Sequence, residues 1–154
     1  MLFATLPACT EPSVCTTATC WDSLTAEGLT PISSSEDAQL SIQLCRNGVC
    51  KSGTIDTTMA QEPNASDIFG EFDAGAYGIL SKDISGVWLL SLQFGTDDPG
   101  TYEDGDVVSI QVTDMQTNTL LADIEESVTY SAFSPNGEAC GPTCNAASFD
   151  LNMQ

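Results

Sequence analysis

Residues 38–56 read AQLSIQLCRNGVCKSGTID, and this stretch predicts a β-hairpin. Leu40, Ile42 and Leu44 alternate with polar residues, which is the period-two pattern of a strand with one buried face. Asn47-Gly48 then supplies the two positive-φ positions of a type I′ turn, the commonest two-residue connection between antiparallel strands.

The two-residue turn also fixes which residues face each other across the hairpin. Arg46 should face Val49 as a hydrogen-bonded pair, so Cys45 should face Cys50 in a non-hydrogen-bonded pair. Their Cα atoms would then be about 4.5–5.5 Å apart, which permits a disulfide. Pairing of Cys50 with a cysteine near the start of the chain remains an alternative.

Further strands are predicted on both sides of this hairpin. The segment GVWLLSLQFG at residues 86–95 places four large apolar residues on one face, and residues 108–112 alternate in the same way. Composition predicts shorter strands at 21–26, 119–124 and 127–133, one edge strand and a turn within 68–80, and a loop at 30–37. About seven to eight short strands without a helical stretch predict an all-β, antiparallel, disulfide-stapled β-sandwich.

The chain of 154 residues has 22 acidic and three basic residues, for a formal charge of −19. Such a molecule repels phosphate backbones and anionic lipid headgroups, so we predict no nucleic-acid partner and no membrane contact except through a lipid anchor. Cations, basic proteins and neutral sugars remain as partner classes. The acidity is equally typical of a soluble secreted protein or of adaptation to high salt.

The chain has no histidine. This excludes catalysis by Ser-His-Asp or Cys-His arrangements, zinc sites built on imidazole, and the commonest general base near neutral pH. A pair of carboxylates could in principle hydrolyse glycosides, but acidic residues are so numerous that any two could be nominated. We therefore predict that the protein is not an enzyme, with a carboxylate-based hydrolase as a remote alternative.

Seven cysteines indicate an oxidising compartment. Their spacings contain no CxxC pair of the kind that zinc ribbons and thioredoxin-like sites require. We predict three disulfides, of unassigned connectivity, among six of the cysteines: Cys15, Cys20, Cys45, Cys50, Cys140 and Cys144.

Cys9 is the cysteine left over by this count. It follows Leu6-Pro7-Ala8, which resembles the end of a bacterial lipoprotein signal, where a leucine and a small residue precede the cysteine that is lipidated. Pro7 departs from that pattern, and the residues before it are too short for a full signal peptide. We predict lipidation at Cys9, with a leftover cysteine in a flexible arm as the alternative.

The stretch TDDPGTYEDGD at residues 96–106, called the acidic stretch below, raises the question of calcium. Calcium binds six to eight oxygen ligands, and Asp97, Asp98, Glu103, Asp104 and Asp106 offer enough of them. However, the spacing is not that of an EF-hand, and Pro-Gly and Asp-Gly are ordinary turn sequences. The pattern favours a solvated turn, and calcium is the one cofactor that it leaves open.

Four aromatic residues have no clear place on a predicted core face: Trp21, Phe69, Tyr77 and Tyr102. Exposed rings of this kind can stack on sugars. Single aromatic residues are more often half-buried packing residues than binding platforms, so the alternative of ordinary packing is favoured.

The carboxyl-terminal segment resembles a group of small secreted bacterial lipoproteins of unknown function. In that group a strand tyrosine leads into Pro-Asn-Gly and then Cys-Gly-Pro-x-Cys, which here would be Tyr130, residues 135–137 and residues 140–144. The group also tends to have a lipobox cysteine, which Cys9 would match. The resemblance covers about a third of the chain. It implies a cell-surface β-sandwich but transfers no ligand, partner or catalytic residue to this sequence.

Together these observations predict a signal remnant and cysteine-containing tether at residues 1–20 and one β-sandwich domain at 21–154. The predicted role is that of a non-enzymatic structural or recognition module, secreted or held on the outer surface of a bacterium, with a protein or glycan partner or with further copies of itself. The alternative is a calcium-dependent adhesive or carbohydrate-binding module that uses Asp97 to Asp106.

Overall fold

The computed structural model describes residues 19–33, 37–59, 67–82, 85–94, 101–137 and 139–153. These residues form eleven strands and one short 3₁₀ turn, Thr57–Met59. The strands are β1 (Ser23–Ser33), β2 (Gln39–Arg46), β3 (Val49–Asp56), β4 (Asp67–Phe69), β5 (Glu71–Phe72), β6 (Ala76–Lys82), β7 (Val87–Phe94), β8 (Val107–Asp114), β9 (Thr119–Ser127), β10 (Ser131–Phe133) and β11 (Cys144–Asp150).

The strands form two sheets, which confirms the predicted sandwich. Sheet A has six strands in the order β10-β11-β1-β7-β6-β4, and sheet B has five in the order β5-β3-β2-β8-β9. All neighbours are antiparallel except β1 and β11, which run parallel. The count exceeds the predicted seven to eight because three of the strands have only two or three residues, too few for an alternating pattern to be visible.

The predicted hairpin is present in its predicted register. Cys45 faces Cys50 and Arg46 faces Val49, and the turn between them has positive φ at both positions, 50° at Asn47 and 79° at Gly48. Cys45 and Cys50 form a disulfide with a Cα–Cα distance of 4.0 Å, somewhat shorter than expected.

The core lies between the two sheets and consists of the inward-facing residues that the alternation predicted. From sheet A it takes residues such as Leu90, Leu92 and Phe94, and from sheet B residues such as Ile42 and Val108, each at most 1% exposed. Burying one such side chain stabilises the fold by about 1.5–3 kcal/mol. The described part of the chain has no helix with the length and apolar character to cross a bilayer.

Three predicted boundaries were wrong. β1 extends through Ser33, so part of the predicted loop at 30–37 is strand, because Thr30 and Ile32 are buried. Beyond Glu27 the strand has no described partner on its β11 side, and its pairing with β7 shifts register between Leu29 and Ser33, so Pro31 is tolerated there.

The predicted strand at 127–133 is two strands in different sheets. β9 ends at Ser127 in sheet B, and β10 begins at Ser131 in sheet A. The segment 68–80 likewise holds three strands rather than one, because the chain leaves sheet A at Gly70 and enters sheet B as β5. At that crossing Gly70 N–H donates a hydrogen bond to the Gly78 carbonyl, at 2.9 Å.

The described residues include two complete disulfides, and one of them links cysteines that are far apart in the sequence. Cys20 is bonded to Cys144, 124 residues away, and so ties the segment before β1 to the start of β11. Cys140 is disulfide-bonded as well. The predicted sites at Cys9 and Cys15 lie outside the described residues.

Candidate functional site

The described half of the acidic stretch folds over the one arginine of the chain. Arg46 ends β2 and Asp106 immediately precedes β8, and these two strands are neighbours in sheet B. The Arg46 Nη1 atom lies 3.0 Å from the Asp106 Oδ2 atom, and the two side chains are only 5% and 7% exposed. Arg46 Nη1 also donates a hydrogen bond to the Thr101 carbonyl, at 3.1 Å, which holds the start of the loop.

Two tyrosines complete this arrangement, and we call Arg46, Tyr102, Asp106 and Tyr130 the arginine cluster. The Arg46 guanidinium carbon lies 4.0 Å from the centre of the Tyr102 ring, a cation–π contact. The Tyr130 hydroxyl donates to Asp106 Oδ2 at 3.0 Å, and the two tyrosine rings meet edge to face at 5.6 Å. Tyr102, which had no clear place on a predicted core face, is buried, at 4% exposure, because the arginine covers it. This agrees with ordinary packing, the alternative that the sequence favoured.

The electrostatics of the cluster favour its charged and hydrogen-bonded form. Burial alone would raise the pKa of Asp106, but hydrogen bonds from Asn47 and Tyr130 and the charge of Arg46 outweigh it and hold that pKa below its ordinary value. Burial and the hydrogen bond to the Asp106 carboxylate raise the pKa of Tyr130, so the phenol keeps its proton. The cluster is thus an ion pair at neutral pH with a neutral tyrosine beside it.

The predicted calcium ligands have different places in this structure. Asp97 and Asp98 lie outside the described residues. Asp106 accepts hydrogen bonds at both carboxylate oxygens, from Asn47, Arg46 and Tyr130. Asp104 accepts one from the Tyr130 amide at 2.8 Å, and Glu103 one from Thr101 at 2.9 Å.

Within the described residues no group of three or more acidic or cysteine side chains is arranged to hold a metal ion. Residues 101–106 form a loop that contacts Arg46 and Tyr130 through hydrogen bonds within the chain. Calcium binding by the whole acidic stretch stays an untested alternative to the predicted solvated turn.

The outer face of sheet A carries most of the exposed aromatic residues. Among the predicted aromatic positions, Trp21 is 64% exposed, Phe69 72% and Tyr77 52%, and Phe133 at 43% joins them. Tyr77 and Phe69 lie at outward positions of β6 and β4, because the residues next to them along each strand are buried and alternate residues of a strand point to opposite faces. The register pairs Tyr77 with Gln93 and Phe69 with Ile79. We call this outer face of sheet A the aromatic face.

A groove of about 580 Å³ opens on the aromatic face. Trp21, Tyr77 and Phe133 provide its apolar walls, and Asp22, Ser23 and Gln93 provide its polar groups. Apolar walls with a few convergent polar groups are typical of binding sites, and the volume is within their usual range of about 300–1,000 Å³.

A second depression of about 430 Å³ lies further along the aromatic face. Leu29 and Leu89 give it apolar walls, and the carboxylates of Glu27 and Asp150 line it. Glu27 and Asp150 are direct partners in the parallel pairing of β1 and β11. Glu27 also accepts a hydrogen bond from the Ser91 hydroxyl, at 2.9 Å.

The outer face of sheet B has a different chemistry. Across β3, β2, β8 and β9 the register lines up rows of small polar and acidic residues, such as Ser52, Gln43, Gln111 and Asp123. Gln111 donates a hydrogen bond to Asp123 across one such row, at 3.2 Å. The outer face of sheet B is that of an ordinary solvated sheet, whereas the aromatic face leaves large rings in water.

Phe133 and Gln93 were missed as members of a site. Gln93 is an outward residue of a strand noted for its core face, and its alternation with Leu92 and Phe94 could have placed it outward. Phe133 could not have been found, because its place depends on β10 crossing into sheet A beside β11.

No protein-family model matches this sequence, and neither a curated protein nor a solved structure matches it significantly.

Proposed function

We propose that this protein is a non-enzymatic recognition module that works outside the cell and binds its partner through the aromatic face. The observation that carries the proposal is the groove walled by the exposed rings of Trp21, Tyr77 and Phe133. Leaving large rings in water costs free energy of about 25 cal/mol per Å², which a partner recovers when it covers them. Aromatic residues are also the ones most enriched in the energetically dominant parts of interfaces.

The disulfides support a location outside the cytosol. The Cys20–Cys144 bond closes a loop of more than a hundred residues, and such a bond stabilises a fold by about 4–5 kcal/mol in the chain-entropy model. A cytosolic protein would not keep it, because thiols there are held reduced. This supports the proposal of a secreted or cell-surface protein.

A lipid on Cys9 would hold the domain at the membrane surface through the tether before β1. Expression with an upstream bacterial lipoprotein signal peptide tests this. The wild type should fractionate with membranes and carry the mass of a lipidated cysteine, whereas Cys9→Ser should be soluble. A wild type without added lipid mass would remove the anchor from the proposal, but not the binding face.

The carboxylates give support to binding rather than catalysis. Hydrogen bonds with Thr58 lower the pKa of Asp56. Burial would raise the pKa of Asp106, but its hydrogen bonds and the charge of Arg46 outweigh burial and lower it. A general acid for hydrolysis needs a raised pKa instead. Asp106 is moreover buried among the other residues of the arginine cluster, so no substrate could reach it.

The binding face is tested by removing rings from each side of the sandwich. Tyr77→Ser with Trp21→Ser changes the groove, and Leu120→Ser, at a 51% exposed apolar residue of sheet B, is the control. Each protein is applied to arrays of neutral oligosaccharides and of synthetic peptides. The proposal expects ligands that bind the wild type and the control but not the groove variant. Equal binding by all three proteins would overturn it.

A further inference from the structure

We infer that the aromatic face recognises a cationic segment of a partner protein, through its lysine or arginine side chains. The inference rests on the proposed function and names the chemistry of the ligand for the same face. Its first support is the cross-strand pair of Glu27 and Asp150, which are direct partners on β1 and β11 and line one depression. Two carboxylates at facing positions of neighbouring strands repel each other, and a cation above them would relieve that repulsion.

None of the chain's own basic residues lines either depression of this face. Arg46 is buried in its ion pair with Asp106. Lys51 lies on β3 in sheet B, and Lys82 is the last residue of β6. Glu27 and Asp150 are exposed, and a cation from outside would be drawn to them by the field of a molecule with a charge of −19.

The aromatic rings extend this preference. Ring faces carry partial negative charge, and they attract ammonium and guanidinium groups. The outward residues of β1 run from Ser23, beside the groove of rings, to Glu27 and Leu29, which line the acidic depression. At about 3.3 Å per residue these six steps span about 20 Å, the length of an extended segment of about six residues.

The molecule already satisfies one arginine in this manner. The Arg46 guanidinium lies over the Tyr102 ring at 4.0 Å and beside the Asp106 carboxylate at 3.0 Å. A ring and a carboxylate together suit guanidinium because it is planar and weakly hydrated. A second copy of this chain is disfavoured as the occupant, since two molecules of the same large charge repel each other.

The inference is tested by calorimetric titration of the oxidised protein with two matched peptides at 150 mM salt. One peptide is Ac-Gly-Arg-Ala-Arg-Ala-Arg-Gly-amide, and the other has citrulline at the three arginine positions, which keeps the shape and removes the charge. We expect the arginine peptide to bind at least about tenfold more tightly than the citrulline peptide. Equal binding of the two peptides would overturn the inference.

A matched pair of double variants separates a site from the general field of the molecule. Glu27→Gln with Asp150→Asn removes two carboxylates from the aromatic face, and Glu125→Gln with Asp123→Asn removes two from the outer face of sheet B. Both change the formal charge from −19 to −17, by removal of two negative charges. Affinity for the arginine peptide should fall about tenfold in the first variant and less than about twofold in the second. An equal fall in both would overturn the inference.

Failure of the inference differs from failure of the proposed function. If chitotetraose, a neutral oligosaccharide, binds and Tyr77→Leu abolishes its binding, while the arginine peptide does not bind, the cationic ligand is wrong and the recognition face stands. If the arginine peptide does not bind, and neither chitotetraose nor any ligand of the arrays binds in a manner that depends on the rings of the groove, both fail. Sedimentation of the wild type and of Tyr77→Leu adds one outcome: dimers lost in the variant would make a second copy the occupant.

Discussion

The three basic residues of the chain have unequal surroundings. Lys82 is exposed and Lys51 is partly so, whereas Arg46 is buried under residues 101–106, with its charge balanced by Asp106 and its face covered by Tyr102. Desolvating both partners is costly, and only their mutual attraction and additional hydrogen bonds offset that cost. A change to one partner therefore exposes the full cost borne by the other.

Asp106→Asn keeps the shape of the side chain and removes its charge, so it leaves Arg46 buried without a counter-charge. We expect the free energy of unfolding at pH 7 to fall by about 3–5 kcal/mol, measured by urea denaturation. Asp123→Asn, on the exposed face of sheet B, is the matched control and should change it by less than about 0.5 kcal/mol. Two equal values would mean that the ion pair contributes nothing.

The same pair predicts how stability depends on pH. Because the folded pKa of Asp106 lies below its unfolded value, the carboxylate contributes stability that is fully present above the unfolded pKa, near 3.9, and is lost as the pH falls through the folded pKa. The difference between wild type and Asp106→Asn should therefore shrink below about pH 4, where protonated Asp106 resembles asparagine. A difference that stays constant down to pH 2.5 would contradict this assignment.

At the scale of strands, one corner of the sandwich depends on two glycines and a single ring. After the chain crosses from β4 to β5 at Gly70, Phe72 lies over Gly53 of β3 and Gly78 of β6, one glycine in each sheet. A Cβ atom added at Gly53 would lie 2.1 Å from the Phe72 ring, and one added at Gly78 would lie 2.4 Å from it. Because glycine has no side chain, these two positions leave room for the Phe72 ring to pack against both sheets.

Gly53→Ala should therefore lower the free energy of unfolding by about 1–3 kcal/mol through overpacking. The cost should disappear in a Phe72→Leu background, because the shorter side chain vacates the space. A double-mutant cycle by chemical denaturation measures this coupling. If Gly53→Ala costs the same in both backgrounds, the ring is not what requires the glycine.

Strands whose information is local could be predicted, and those that depend on distant partners could not. The hairpin of β2 and β3 was confirmed to the residue, because Asn47-Gly48 sets its turn and register within a few positions. Ordinary packing was favoured for Tyr102, but its partner could not be named, since the arginine that covers it comes from a strand far away in the sequence. The same holds for the site: Trp21 and Tyr77 were candidates, but only the pairing of β1, β7 and β6 brings them to one groove.

At the scale of the molecule, the two outer faces of the sandwich differ. The aromatic face combines rings and carboxylates, while the outer face of sheet B presents rows of serine, threonine, glutamine and acidic side chains. Each sheet has one face in the core, so its other face is free to vary without disturbing packing. This division is compatible with the proposed recognition surface, because the rings of the aromatic face are not needed by the core.

The charge of the whole molecule sets a last expectation, for salt. With 22 acidic residues against three basic ones, one of which is neutralised inside an ion pair, repulsion among the surface carboxylates opposes the compact state. Raising sodium chloride from 20 mM to 500 mM shortens the screening length from about 20 Å to about 4 Å and should relieve that repulsion. A gain of about 1 kcal/mol would raise Tm by about 2–4 °C for a domain of this size, measured with chelator present throughout.

Choline chloride at the same ionic strength should act equally, since screening is not specific to one cation. A stabilisation by sodium alone would instead point to a bound ion, and an unchanged Tm would mean that the carboxylates are too far apart to repel one another.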